Sequence, residues 1–327
     1  MNKVRWGLLS TARINRSLIP AIRASGRGEL VAIASRDQKK ANSYAREWQI
    51  SKAFGSYESM LTSGEIDAVY ISLPNHLHAE WSIRSMEHGV HVLCEKPFAL
   101  SLEEVEQMIN ASQKYDRVLT EAFMYRHHPQ TKIAGQWINS GKIGDLCAIR
   151  GIFTFAMATR DDVRLVPEYG GGSLWDIGVY PLSIAQFLMG EAPDWVFGTQ
   201  WIGDSDVEES FSGVLHYSGD RTAQIFSSFR SPFNTAVEVI GTEGRMTFTR
   251  PFAGMHQDRH LFLYDKEGNR SEIPVPKQEL YSGEVEDMHS AILDGKPQYI
   301  SLSETRNHIH TVLALYQSAK TNQIVFL

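Results

Sequence analysis

Cysteine is scarce in this chain: Cys94 and Cys147 are the only two among 327 residues. Their spacing fits no zinc motif, and both are expected to be small buried side chains in a reducing compartment. Blocks of five or six like charges are absent as well. With a net charge of -6 and no such block, nucleic acid and anionic membranes are excluded as main partners. No run of about 18 apolar residues occurs, so no segment is expected to span a membrane. The opening Met1-Asn2-Lys3-Val4-Arg5-Trp6 leads directly into a strand, with neither an apolar signal core nor a small-residue cleavage site. A cytoplasmic location is expected. Among the 12 histidines, the closest pairs are His76-x-His78 and His127-His128. Neither has the i,i+4 helical spacing of a zinc-binding motif, and no metal is expected.

What is present is an ordinary globular composition, 43% hydrophobic and 21% charged, in a chain long enough for two domains. Two textures meet near residue 123. Before it, short β-branched runs (Val4–Ser10, Leu30–Ser35, Ala68–Ser72, His91–Cys94, Val118–Ala122) alternate with helical periodicity over Ile14–Ser25, Lys39–Trp48 and His78–His88. Ser101-Leu102-Glu103-Glu104 has capping-box spacing and opens a further helix. After residue 123, a helix over Pro129–Ser140 ends at Gly141. Strands are expected at Cys147–Ala158, Ser212–Tyr217, Arg221–Phe229, Ala236–Ile240, Arg245–Thr249 and His260–Tyr264. The turns Ser218-Gly219-Asp220, Thr242-Glu243-Gly244 and Lys266-Glu267-Gly268-Asn269 read as antiparallel hairpins. Two late helices fit Gly283–Asp294 and Ser301–Lys320. The expected fold is α/β: a Rossmann-type dinucleotide domain over 1–123, then an α+β domain over 124–327 with a large, mostly antiparallel open sheet. An open face of that size needs a cover, and a second subunit supplies one.

The first strand runs into Gly7-Leu8-Leu9-Ser10-Thr11-Ala12-Arg13-Ile14. A Rossmann turn needs small residues where backbone amides approach a pyrophosphate, ahead of a helix N-terminus that favours the anion. Ser10, Ala12 and Asn15 stand where the glycine fingerprint would sit, so small size survives without the glycines. The run Ser10, Thr11, Ala12, Arg13 and Ile14 is the expected phosphate contact, because it heads an alternating βα series. The second strand ends at Ser35-Arg36-Asp37. An acid at that end selects NAD, whereas a small hydroxyl followed by arginine suits the 2′-phosphate of NADP. Ser35 and Arg36 favour NADP with NAD possible, and Asp37 comes too late to hold the ribose.

With that loop in place, the later motifs resemble the glucose–fructose oxidoreductase/inositol dehydrogenase/rhizopine-catabolism (Gfo/Idh/MocA) family. They are Leu73-Pro74-Asn75-His76-Leu77-His78, Glu95-Lys96-Pro97, Glu121-Ala122-Phe123-Met124-Tyr125-Arg126, and the run Gly170-Gly171-Gly172-Ser173-Leu174-Trp175-Asp176-Ile177-Gly178-Val179-Tyr180-Pro181. Ala34-Ser35-Arg36-Asp37 and Asp176-Ile177-Gly178-Val179-Tyr180 look most like the branch of dimeric dihydrodiol dehydrogenases and NADP-dependent D-xylose dehydrogenases. Ser10 and Ala12 depart from the glycine pattern.

The resemblance implies a hydride transfer between nicotinamide and a carbinol or carbonyl carbon of a sugar, polyol or cyclic diol. Substrate is expected between the sheet of the second domain and the nicotinamide, and the open sheet face is expected to join subunits into a homodimer or homotetramer. Lys96 lies at the carboxyl end of a parallel strand, where ligands bind in open α/β sheets. It can relay a proton or polarise the substrate oxygen, and Pro97 steadies its backbone. If Trp175–Tyr180 is helical, Asp176 and Tyr180, four apart, project from one face, and Pro181 makes that helix kink or begin late. By resemblance, Tyr180 meets Lys96 and acts as the acid–base, and Asp176 orients the substrate or the lysine. Leu73, Asn75 and His76 are expected near the cofactor's ribose and pyrophosphate, Glu95 and Lys96 near the nicotinamide, and Arg126 on cofactor or substrate. Arg160 and Asp161 read as exposed charges on a loop. Relatives of two other kinds stand as alternatives: a non-catalytic dinucleotide sensor, which would not need the Lys96, Asp176 and Tyr180 set, and a glycosidase that uses its cofactor transiently.

Overall fold

The computed structural model describes residues 3–253 and 259–327. They form two compact units, Met1–Met124 with Glu279–Arg306, and Tyr125–Gln278 with Asn307–Leu327.

In the first unit six strands, β1 (Val4–Leu9), β2 (Gly28–Ala34), β3 (Lys52–Phe54), β4 (Ala68–Ile71), β5 (His91–Glu95) and β6 (Leu119–Ala122), make a sheet in the order β3-β2-β1-β4-β5-β6. Every pairing is parallel. That is the doubly wound order, with its topological switch point between β1 and β4. Residues of β4 and β6 are all buried, as expected of strands covered on both faces. The connecting helices are α1 (Asn15–Ala24), α2 (Gln38–Glu47), α3 (Tyr57–Leu61), α4 (His78–Glu87) and α5 (Leu102–Tyr115). Ser101 accepts from the Glu104 amide at 3.1 Å, as its capping box predicts, and the Glu104 carboxylate reaches back to the Leu100 amide at 2.8 Å. Strand β3 and helix α3 have no counterpart in the sequence reading, since three and five residues are too few to show a period.

The larger departure is the returning segment. Helix α8 (Ser282–Asp294) was expected in the second half, yet it packs with the first unit. Its Val285 and Met288 are fully buried in one cluster with Trp6, Leu8 and Ile22. The Trp6 indole N–H donates to Nε2 of His289 at 2.9 Å. Each such apolar side chain contributes about 1.5–3 kcal/mol when fully buried, so the helix is part of this unit's core.

In the second unit, helices α6 (Pro129–Asn139) and α7 (Val179–Met189) accompany a nine-stranded sheet. Its strands are β7 (Leu146–Thr154), β8 (Trp195–Ile202), β9 (Glu208–Tyr217), β10 (Arg221–Ser228), β11 (Asn234–Gly241), β12 (Gly244–Thr249), β13 (Leu261–Asp265), β14 (Arg270–Ile273) and β15 (Val325–Phe326). The order is β14-β13-β12-β11-β7-β10-β9-β8-β15. The three expected hairpins form, between β9 and β10, β11 and β12, and β13 and β14. One pairing, β7 with β10, is parallel. All of α7 except Phe187 is buried, as an all-round apolar helix requires. Gly151 lets it approach β7, because a Cβ there would meet that of Pro181 at 2.5 Å. The helix α9 (Leu302–Thr321) contributes its residues up to Arg306 to the first unit and the remainder to the second. Cys94 is buried, but Cys147 is exposed. It is the second residue of β7, before the buried stretch begins at Ile149.

Candidate active site

At the end of β1 the missing glycines are replaced by a hydrogen-bond network. Ser10 holds φ at 129°, a conformation glycine adopts more readily. Its hydroxyl bonds the Ser72 carbonyl at 3.0 Å and the Ser72 hydroxyl at 2.9 Å, and it accepts from the Ala12 amide at 3.1 Å. Asn15, fully buried at the start of α1, donates to the Ser10 carbonyl at 2.8 Å and accepts from the Ser72 hydroxyl at 2.7 Å. The turn that carries Thr11, Ala12, Arg13 and Ile14 into α1 is thus tied at its base to the end of β4. Small side chains and a helix N-terminus at the switch point fit a pyrophosphate.

At the end of β2, Asp37 caps α2, accepting from the Lys39 amide at 2.8 Å and the Lys40 amide at 3.4 Å. Just before it, Arg36 is exposed and Ser35 accepts from the Asp37 amide at 3.3 Å. A hydroxyl followed by a guanidinium is the donor set that a 2′-phosphate needs.

Asn75 and His76 lie on a single 3₁₀ turn, Asn75–Leu77, just beyond β4. Leu73 is buried before it. Glu95 closes β5: one oxygen accepts from the Tyr70 hydroxyl and the other from the Lys96 amide at 3.1 Å. The residues after Lys96 are held from two sides. Glu121, 1% exposed, accepts from the Phe98 amide at 3.0 Å. His78 lies between the Pro97 carbonyl (Nδ1, 2.8 Å) and the Leu73 carbonyl (Nε2, 2.9 Å). Burial pushes the His78 pKa down to about 4, so the neutral ring donates to one of the two. His78 and Glu121 are supports that the sequence reading did not assign, although both stand inside the motifs that carried the resemblance. The Lys96–Pro97 peptide bond is cis.

In the second unit, Asp176 lies in a π-helical turn, Leu174–Gly178, that runs directly into α7. The Val179 amide bonds the Leu174 carbonyl five residues back. This is the late, irregular start that Pro181 requires, since proline lacks a donor and its ring crowds the carbonyl four residues earlier. Asp176 and Tyr180 therefore share one helical stretch but have different neighbours. Asp176 accepts from Arg164 Nε at 2.8 Å, and Arg164 also pairs with Asp162 at 3.2 Å. Arg164 was not singled out by the sequence. The neighbouring Arg160 and Asp161 are exposed, as expected of loop charges, and Arg160 forms a two-pronged pair with the buried Glu209, at 2.6 and 3.0 Å. Tyr180 is 7% exposed, its ring 5.4–5.7 Å from those of Phe153, Tyr125 and Phe252. The Tyr125 hydroxyl donates to the Tyr180 carbonyl at 3.2 Å.

Arg126, expected on the cofactor, is 1% exposed. It donates to Ser183 at 3.2 Å and stacks on Phe187 at 4.1 Å, both on α7. One histidine of each pair considered for a metal has another partner: His128 accepts from the Gln130 amide at 3.1 Å as the cap of α6, and His78 lies between two backbone carbonyls. Among the described residues, no three His, Cys, Asp or Glu side chains are grouped to hold a metal, and no helix is long and apolar enough to cross a membrane.

Comparison with known proteins identifies the family and the fold. Residues 4–123 match the model of the Gfo/Idh/MocA oxidoreductase family, NAD-binding Rossmann fold, and residues 131–247 match that family's C-terminal domain. The chain is 36% identical to a D-xylose 1-dehydrogenase (NADP(+)) of Haloferax volcanii, over 98% of this chain and 99% of the other. It is 32% identical to a trans-1,2-dihydrobenzene-1,2-diol dehydrogenase of Xenopus laevis, over 73% of each. Among solved structures, a 3-ketoreductase from Actinomadura kijaniata in complex with NADP and TDP-benzene superposes with a TM-score of 0.91 at 27% identity, covering 97% of this chain and 98% of that one. The chain belongs to the Gfo/Idh/MocA family and is an NAD(P)-dependent oxidoreductase.

Proposed function

We propose that this enzyme is an NADP-dependent dehydrogenase of a sugar, polyol or cyclic diol, of the D-xylose 1-dehydrogenase or dihydrodiol dehydrogenase kind, in which Lys96, Asp176 and Tyr180 manage the proton. The observation that carries the reading is the braced loop at the end of β5, where Glu95, His78 and Glu121 hold the backbone on both sides of Lys96. A lysine so placed, at the carboxyl end of a parallel strand, is built for chemistry. The ketoreductase relative has also been solved with a substituted lysine and with a substituted tyrosine, separated in sequence by the same interval as Lys96 and Tyr180.

Oxidising a carbinol takes a hydride from carbon and a proton from oxygen. The nicotinamide, when bound, supplies the hydride acceptor. Tyr180, acting as its phenolate, takes the hydroxyl proton as the hydride leaves carbon, and Lys96, as an ammonium, stabilises the negative charge that develops on the oxygen before the neutral carbonyl forms. Asp176, its plane set by Arg164, orients a substrate hydroxyl. The Ser10–Ile14 turn receives the pyrophosphate, and Leu73, Asn75 and His76 receive the ribose next to it. Glu95 orients the nicotinamide end, and Ser35 with Arg36 holds the 2′-phosphate.

The outer face of the nine-stranded sheet mixes half-buried apolar side chains, Ile152, Val214, Phe226 and Phe262, with the Arg245–Glu238 ion pair at 3.0 Å. We assign that face to a homodimer or homotetramer contact of a soluble cytoplasmic enzyme; sedimentation as a monomer would refute it.

The functional test is NADP reduction by the purified enzyme against a panel of aldoses, inositols and trans-dihydrodiols, with NAD alongside. Steady NADPH production with one class is expected. An about tenfold preference for NAD, which is ~1.4 kcal/mol, would overturn the Ser35 and Arg36 assignment. Tightly retained cofactor with no net NADPH production would favour the glycosidase alternative, and no reduction by any substrate even in a single turnover would favour the sensor.

A further inference from the structure

The glycine run before Asp176 is shaped around a buried carboxyl group. Glu208, the first residue of β9, is 4% exposed. Its Oε1 accepts from the Leu174 amide at 2.6 Å and from the Tyr316 hydroxyl, on α9, at 2.9 Å. Gly172 lies on its other side. At φ 126° that residue occupies the left-handed region, and an added Cβ would come within 1.9 Å of Glu208 Oε2. Gly171 is equally confined, a Cβ there falling 2.6 Å from the Arg164 carbonyl and 2.8 Å from that of Val166. The segment entering the helix of Asp176 is thus pressed between the Arg164 loop and the Glu208 carboxyl group, with no room for any side chain.

We propose that Glu208 is a positioning residue for the reaction, holding the amides that open the π-helical turn and so setting where Asp176 and Tyr180 point; this rests on the roles given above to those two residues. The start of a helix leaves amide donors without intrahelical partners, and here a side chain from a distant strand meets them. The group that faces Glu208 from α9 is Tyr316, and among the described residues no charged side chain is recorded against it. Burial pushes the Glu208 pKa up to about 8, against the opposing pull of the Leu174 amide and the Tyr316 hydroxyl. The proton therefore comes and goes in the range where a dehydrogenase is assayed. The acid carries its proton where the Leu174, Ser173 and Glu208 amides converge, with Oε2 beside Gly172. Losing it changes the contact with the segment that leads into Asp176.

The test compares Glu208→Gln and Glu208→Ala with the parent enzyme, using NADP and the substrate identified in the panel. Gln is shaped like the protonated acid and keeps the Oε1 acceptor. It is expected to retain kcat within about twofold at pH 6.5 and to remove an ionisation near pH 8 from the kcat profile. Glu208→Ala is expected to lower kcat about tenfold or more, with NADP affinity by fluorescence titration unchanged. An unaltered pH profile in Glu208→Gln, or parental kcat in a folded Glu208→Ala, overturns the proposal. Should the Ala variant fail to fold, the Gln profile decides alone. Tyr180→Phe serves as the control: if it is inactive while both Glu208 variants behave as the parent, only this inference falls, whereas a fully active Tyr180→Phe removes the roles on which it rests.

Discussion

The two units reach their functional residues by different routes. In the first, each candidate cofactor contact follows a parallel strand: Ser10 after β1, Ser35 after β2, Asn75 and His76 after β4, Glu95 at the end of β5. Connectivity alone delivers them to one edge, because every parallel strand ends on the same side of its sheet. In the second unit, Asp176 and Tyr180 stand on one helix start amid irregular chain, and their supports come from remote segments, Arg164 from a loop, Glu208 from β9 and Tyr316 from α9. A site group placed by topology tolerates local drift. One placed by a few long-range bonds depends on each of them.

The comparison breaks most sharply at the chemistry itself. Lys96→Ala and Tyr180→Phe, one from each unit, are each expected to cut kcat at least about tenfold, toward the 10²–10⁴ typical of a positioned acid–base group. Cofactor affinity should barely move, because neither substitution touches the Ser10–Ile14 turn or the Ser35–Arg36 pair. Steady-state kinetics with a parallel fluorescence titration measures both quantities. Full activity in both variants would sink the assignment.

How much was legible follows from the same difference. Strands of the first unit announce themselves as β-branched runs between helical periods, and their ends mark the site. The network that replaces the glycines is partly visible, since Ser10 and Asn15 are small and polar, but the tie to Ser72 crosses 62 residues. The place of α8 was not legible. Val285 and Met288 have an ordinary helical period that says nothing of which core they enter. Strand β8 was missed although it pairs along its whole length with β9, because Gly198 and two tryptophans interrupt any clean alternation. The π-helical turn was foreshadowed only by Pro181. Glu208 looks like one surface acid among 38 acidic residues, and no local pattern marks it as buried; Gly172, which must lack a side chain to admit it, was the nearest clue.

A second break lies at α8. Met288→Ala is expected to cost about 2–5 kcal/mol, the range for emptying a buried site of this size, read from urea unfolding. The loss should appear in the transition that added NADP protects, since ligand stabilises the unit that binds it. A loss confined to a transition that NADP leaves unmoved would reassign the helix to the second unit, where the sequence alone had placed it.

The smallest effect sharpens the reading of the first unit's edge. Asp37 is an acid near the end of β2, and an acid there ordinarily marks NAD. The structure gives it a different task, accepting the Lys39 and Lys40 amides at the start of α2. Removing such a cap costs about 1 kcal/mol. Asp37→Ala should therefore lower stability by roughly that amount and leave the ratio of NADP to NAD activity where it was, because the groups proposed to choose the cofactor are Ser35 and Arg36. The two outcomes separate cleanly: a cap is felt in thermal unfolding, a ribose contact in selectivity. A variant of unchanged melting temperature with a shifted cofactor ratio would move the ribose contact from Ser35 to Asp37, and with it the argument for NADP.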